Sequence, residues 1–145
     1  MLKIYLDNCM FNRPFDHQAS LRVRLETEAK LHIQELIKQG QLMLVWSYIL
    51  DFENAQNPFE ERKQAIAKWK SLSLQDTSEN PAVLELAMSL AEKGIKPKDT
   101  LHVACSVEAG CDYFLSTDDR LLKRLTVLSP IAAMNPVDFI KVLES

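Results

Sequence analysis

Asp7, Glu53, Asp99 and the pair Asp118-Asp119 are spread along almost the whole chain, yet each stands beside an apolar run that reads as a strand or a helix. Asp7 ends the run Leu2 to Leu6. Glu53 lies about two helical turns beyond the run Leu42 to Trp46, Asp99 opens an apolar helix, and the late pair follows Tyr113 to Leu115. In an open parallel sheet the loops after the strands converge beside a break in strand order, so these acids are expected to meet at one edge. Two carboxylates about 5 Å apart repel by roughly 3 kcal/mol at an effective dielectric near 20, and a positive charge must offset this. A hard divalent ion does so: Mg²⁺ takes oxygen ligands and keeps several waters. It also lowers the pKa of a bound water and steadies charge developing at phosphorus. The chemistry to which such a set points is metal-assisted hydrolysis of a phosphate ester.

Taken singly, each acid has an ordinary alternative. Asp7 satisfies a loop, Glu53 sits on a solvated helix face, Asp99 caps a helix, and Asp118 and Asp119 start a turn. Their joint placement is what points to a site. Other chemistries find less support. His17, His32 and His102 show no HExxH spacing, and no Ser or Cys stands in a GxSxG turn. His102, one turn after Asp99, is placed beside the acids, with a structural histidine as the alternative. Gly40, Gly94 and Gly110 all fall at expected helix ends, which leaves none for a phosphate-cradling loop. Cys9, Cys105 and Cys111 form no CxxC pair.

The elements that must position the acids follow from periodicity and caps. A helix is expected from Ala19 to Lys38, a strand from Leu42 to Trp46, and a helix capped by Ser47 that carries Tyr48, Ile49, Phe52 and Glu53. Further helices follow Pro58 through Lys70 and Asn80-Pro81 through Lys93, with a short strand at Leu72 to Leu74 between them. Lys96 to Asp99 leads into a helix from Thr100 to Ala109, apolar on most sides. Then come the strand Tyr113 to Leu115, a short helix around Leu121 to Leu125, a strand near Val127-Leu128, and a helix from Pro136 to Leu143. After Asp7 a loop is expected through Asn12-Arg13-Pro14. Strand and helix alternate as crossover connections between parallel strands require.

The 145 residues, 47% of them apolar, suit one α/β domain. A formal charge of −3 excludes binding of nucleic acid by bulk electrostatics, so such a contact must use a local basic rim or bound cations. No run approaches the roughly eighteen apolar residues of a membrane span, and the expected location is the cytoplasm, with no membrane partner.

IYLDNCMFNRPFD, SYILDFE and KPKDTLHVACSVEAGCDYFLSTDD together resemble the motifs of the PIN domains, in particular the single-domain ribonucleases similar to VapC. The resemblance spans nearly the entire chain. It implies a three-layer α/β/α sandwich with a central, mainly parallel sheet, Mg²⁺ as cofactor with Mn²⁺ as a substitute, and RNA as substrate. It also implies a cognate antitoxin protein and a homodimer. Asp7, Glu53, Asp99 and Asp118 carry over as catalytic acids, with Asp7, Asp99, Asp118 and Asp119 as metal ligands. The family's T-x-D motif fits Ser116-Thr117-Asp118 with serine for threonine, and Thr117-Asp118-Asp119 literally; spacing to Leu121 favours Asp118. Asn8, Arg13, His102, Ser116 and Thr117 are expected to support the acids or touch substrate. Lys96, Lys98 and Arg120 flank the acids as guides for an RNA backbone. One departure is Asn8-Cys9, where many relatives carry a hydroxyl residue and then Asn; here the Asn8 amide is expected to donate to a neighbouring carboxylate.

Three other readings compete. An aspartyl phosphatase needs a second Asp at position 9, where Cys9 stands. A phosphoacceptor receiver domain places its acidic pair early, whereas the adjacent pair here comes late. The third is a PIN-like binding module without catalysis.

Overall fold

The computed structural model describes residues 1–145. Five strands form one sheet: β1 (Leu2–Leu6), β2 (Leu42–Ser47), β3 (Gln75–Thr77), β4 (Tyr113–Leu115) and β5 (Ala132–Met134). Every neighbouring pair is parallel, in the order β3-β2-β1-β4-β5. Eight α-helices connect and cover the sheet: α1 (Asn8–Asn12), α2 (Leu21–Lys38), α3 (Tyr48–Ala55), α4 (Glu60–Lys70), α5 (Pro81–Glu92), α6 (Pro97–Glu108), α7 (Asp119–Leu128) and α8 (Pro136–Glu144). The result is the expected three-layer α/β/α arrangement.

The chain winds outward from β1 through β2 to β3, then returns to lay β4 on the other side of β1. The order therefore reverses between β1 and β4, and the crevice outside their carboxyl ends is where such sheets bind ligands. The register Leu6↔Leu115 brings the residues after both strands side by side, and Asp7 N–H donates to the Leu115 carbonyl at 3.0 Å. Ile4, Tyr5, Leu6, Leu44, Val45, Trp46, Phe114 and Leu115 are buried, as near-continuous apolar strands covered on both faces must be.

Local caps set the helix starts. Ser20, Ser47, Asn80 and Asn135 each accept a backbone N–H of the first turn, and Pro81, Pro97 and Pro136 occupy positions where no N–H is needed. At Gly94 the backbone has φ +92, and an added Cβ would lie 2.7 Å from Arg124 Nη1. The bare backbone there seats the guanidinium, which also donates to the Lys93 carbonyl. No helix is long and apolar enough to cross a membrane.

Three sequence expectations need correction. Leu72 to Leu74 is not a strand: Ser71 and Ser73 hydroxyls bond back to the Lys68 and Lys70 carbonyls, holding the chain in turns, and Leu74 is exposed. The strand is the polar Gln75–Thr77, set by pairing with β2. Val127-Leu128 belongs to α7, which stops at Ser129 in the left-handed region (φ 52), and the last strand is Ala132–Met134. The segment after Asp7 is α1 followed by a 3₁₀ turn at Arg13–Phe15, because the Asp7 side chain caps it and Pro14 sits in its first turn.

Candidate active site

Asp7, Glu53, Asp99 and Asp118 line one cleft of about 600 Å³, together with Asn8, Cys9, Lys96, Pro97 and Lys98. Strand β1 delivers Asp7, α3 delivers Glu53, the first turn of α6 delivers Asp99, and the N-terminus of α7 delivers Asp118. Four separate segments thus supply one acidic surface at the reversal of the sheet.

Asp7 is the most buried of them, and its partners are all uncharged. Oδ1 accepts the Asn8 backbone N–H at 2.8 Å, and Oδ2 accepts the Ser116 hydroxyl at 2.9 Å and the Cys9 thiol at 3.5 Å. Ser116 Oγ in turn accepts the Asp118 N–H at 3.1 Å, so one hydroxyl ties two acids together. Cys9 Sγ also accepts the Thr117 N–H at 3.4 Å. Burial, and then the charge of Asp7, push the Cys9 thiol up to about 12, so it serves as a neutral donor. The expected donation from the Asn8 amide is replaced: its backbone N–H and the Cys9 thiol do that work. The Asn8 amide oxygen stays buried with no hydrogen-bond partner.

Asp118 caps α7 through Oδ1, which accepts Arg120 and Leu121 N–H at 3.0 and 3.2 Å. Burial, then the charges of Asp7 and Asp118, push Asp99 up to about 6, with His102 pulling the other way. Glu53 is hydrogen-bonded to His102 Nε2, which also lies 3.8 Å from Asp7 Oδ1. Burial disfavours the charged ring of His102, but the Glu53 bond and the Asp7 charge outweigh it and hold the ring above its ordinary value. None of the four acids pairs with a lysine or arginine.

Several expected site residues stand elsewhere. Asp119 is exposed outside the cleft and clamped by Arg22, whose two terminal nitrogens donate to its carboxylate at 2.6 and 2.7 Å. Once Asp118 caps α7, the next residue is turned about 100° around the helix, toward α2. Arg22 holds the Asp119 carboxyl below its usual range. The structure thus brings Asp118, and not Asp119, to the acid cleft. Arg13 is likewise committed, to Asp16, to Glu26 and to the Thr117 hydroxyl, and Thr117 supports that contact without lining the cleft. Lys96 and Lys98 do line it, and Lys96 with Arg120 opens onto an adjoining cleft of about 300 Å³ that shares Asp99 and Asp118.

Sequence reasoning missed three residues here. Arg124 lines the adjoining cleft, and its spacing of four from Arg120 on α7 was the signal. Tyr5 and Ser47 lie behind His102, each within 2.6 Å along a hydrogen-bonded row. Tyr5 precedes Asp7 by two and so shares its strand face.

The charged donors of the cleft are four carboxylates, and the Cys9 thiol beside them stays protonated, a set that suits a hard cation such as Mg²⁺ and not a soft one. As the side chains stand, no three His, Cys, Asp and Glu groups form a ready-made chelate. The residues therefore fit an ion that takes one or two carboxylates and completes its shell with water and substrate oxygen, the ordinary habit of Mg²⁺.

No protein-family model matches the sequence, and no curated protein matches it. Solved structures do match. VapBC2 from Rickettsia felis, bound to a DNA fragment from their promoter, aligns at TM-score 0.59 and 12% identity over 92% of this chain and 98% of that one. VapBC-1 from nontypeable Haemophilus influenzae aligns at TM-score 0.63 and 13% identity over 93% and 98%. PAE2754 from Pyrobaculum aerophilum aligns at TM-score 0.57 and 14% identity over 99% and 97%. With a five-stranded parallel sheet, a crevice between β1 and β4, and near-complete coverage by these structures, the chain has the fold of the VapC-like PIN domains.

Proposed function

We propose that the chain is a divalent-metal-dependent endoribonuclease that cuts RNA phosphodiesters and is held in check by a small antitoxin protein. The observation that carries the reading is the gathering of Asp7, Glu53, Asp99 and Asp118 on one cleft with no lysine or arginine paired to any of them. Four carboxylates that share a single imidazole, His102, still leave excess negative charge in the free protein, and that cost is offset when a cation arrives.

Asp7, Asp99 and Asp118 would hold Mg²⁺, with Mn²⁺ as a substitute, and a bound ion would supply the positive charge that lowers the pKa of water and balances charge developing at phosphorus. Glu53, on the other side of the cleft, takes the proton of the attacking water. Ser116 and the Cys9 thiol keep Asp7 in place, and Ser116 locks it to Asp118. Lys96 and Lys98 draw the phosphate backbone to the cleft, with Arg120 and Arg124 extending the basic rim. The likeness to VapBC structures supports the antitoxin partner, and a homodimer belongs to the same reading.

The test is incubation of purified protein with labelled RNA and Mn²⁺, with and without EDTA, beside Asp99→Asn. The reading requires cleavage by wild type alone and its loss in EDTA; equal cleavage by both proteins, or none by either, counts against it. A second reading, a PIN-like binding module without catalysis, draws on the lack of a ready-made chelate. It requires that Mn²⁺ leave the melting temperature of the wild type unchanged.

A further inference from the structure

A row of buried polar groups runs beneath the acid cleft. His102 is 1% exposed and Tyr5 and Ser47 are 0% exposed, in a region otherwise built of apolar strand residues. His102 Nε2 faces Glu53 Oε1; Nδ1 lies 2.6 Å from the Tyr5 hydroxyl, which lies 2.6 Å from Ser47 Oγ. Ser47 Oγ then accepts the Leu50 N–H at 3.4 Å, in the first turn of α3. The row starts at the head of α3, crosses β2, β1 and α6, and returns to Glu53 on the same helix. Burying three such groups is costly unless every one is bonded, and here each is.

We propose that Ser47, Tyr5 and His102 are positioning residues whose hydrogen-bonded row fixes the Glu53 carboxylate at the cleft. The inference rests on the nuclease reading for its kinetic consequence, not for its geometry. The Leu50 N–H can only donate, so Ser47 Oγ accepts it and meets Tyr5 either as donor or as acceptor. With a neutral imidazole the Tyr5 O–H donates to Nδ1 and accepts the Ser47 hydroxyl; with a charged ring Nδ1–H donates to the phenol oxygen and the Tyr5 O–H turns to Ser47 Oγ. In both cases Nε2 carries a proton aimed at Glu53, and the carboxylate is left with its other oxygen for the cleft. The Tyr5 ring is itself held, stacked on Phe114 at 5.6 Å between centroids with a 7° tilt and set edge-on to His102 at 5.7 Å. Rotation of the phenol, and with it drift of the imidazole, is blocked from both sides. A structural histidine would need only a satisfied ring; this one has its second nitrogen spent on a carboxylate of the cleft.

Tyr5→Phe tests this, because it keeps the stacked ring and removes one oxygen. The expected result is a fall in kcat for RNA of roughly ten-fold with KM and Mn²⁺ affinity unchanged, the signature of a misplaced group and not a lost binding contact. His102→Gln, whose amide can still donate to Glu53, should recover part of the activity that His102→Leu loses. The second readout needs no activity. In metal-free wild type the His102 Nε2 proton should resonate downfield and exchange slowly by NMR, moving upfield and exchanging fast in both Tyr5→Phe and Glu53→Gln. Wild-type kcat in Tyr5→Phe, or an Nε2 proton indifferent to both changes, overturns the proposal. Should the wild type cut no RNA, the nuclease reading falls and the proton spectrum still decides the row. Should Tyr5→Phe fail to fold, the response to Glu53→Gln decides it.

Discussion

Glu26 and the acids of the cleft treat the same problem in opposite ways. Glu26, 1% exposed on α2, has two arginines beside it, Arg13 Nε at 3.3 Å as an ion pair and Arg22 Nε donating at 3.2 Å, and accepts the Asn135 amide at 2.5 Å. Asp7, nearly as buried, has a hydroxyl, a thiol and a backbone amide, and Asp99 beside it is pushed toward neutrality. The first carboxylate joins α2, the Arg13 turn and the start of α8, and its charge is cancelled by the chain itself. The second group has no arginine or lysine and shares only His102, at the one place where the sheet order reverses. A buried acid with its own arginines belongs to the architecture, and several acids sharing one imidazole mark where positive charge from outside is to be received.

The largest effect that would sharpen this contrast is on catalysis. Asp7→Asn and Asp99→Asn should each lower RNA cleavage by at least about 100-fold, nearly 3 kcal/mol of barrier, while metal-free Asp99→Asn melts no lower than wild type. A variant that melts lower and cuts normally would place these acids with Glu26. Next in size is Glu26→Gln, expected to cost about 1–2 kcal/mol of stability, since Arg13 and Arg22 each lose a buried carboxylate but keep Asp16 and Asp119. Urea denaturation measures it, and a loss under about 0.5 kcal/mol would remove the contrast from the Glu26 side.

A smaller effect comes from pH. With its folded pKa raised to about 6 from an ordinary 3.8, Asp99 contributes stability fully present below 3.8 and lost as pH rises through about 6. In EDTA the melting temperature should therefore decline between these values, more steeply in wild type than in Asp99→Asn; identical slopes would mean that Asp99 is not under that pressure. Mn²⁺ should restore the loss above pH 6 in wild type only. The smallest effect is that of Asp119→Asn, which breaks the exposed pair with Arg22 and should leave melting and cleavage within error. A strong loss of cleavage there would return Asp119 to the site.

The parts legible in sequence were those whose own residues decide their structure. β1, β2 and β4 are apolar runs, and α5 and α6 are bounded by Asn80-Pro81, Gly94, Pro97 and Gly110. β3 and β5, Gln75-Asp76-Thr77 and Ala132-Ala133-Met134, have little apolar signal of their own, and a neighbour's edge recruits them. Asp7, Asp99 and Asp118 could be read because each opens or closes an element, and Glu53 because it lies at a fixed distance past the Ser47 cap of α3. The choice between Asp118 and Asp119 was open in sequence because Arg22, which settles it, lies 97 residues from Asp119. Tyr5 escaped notice because a buried aromatic in a strand reads as core, and only its 2.6 Å contact with His102 shows that its oxygen is used.

The pairing of Ser116 with Asp7 spans 109 positions of chain, and β4 docks beside β1 only after most of the polypeptide exists. During synthesis on the ribosome, the acid cleft therefore cannot assemble until Ser116 and the rest of β4 have emerged.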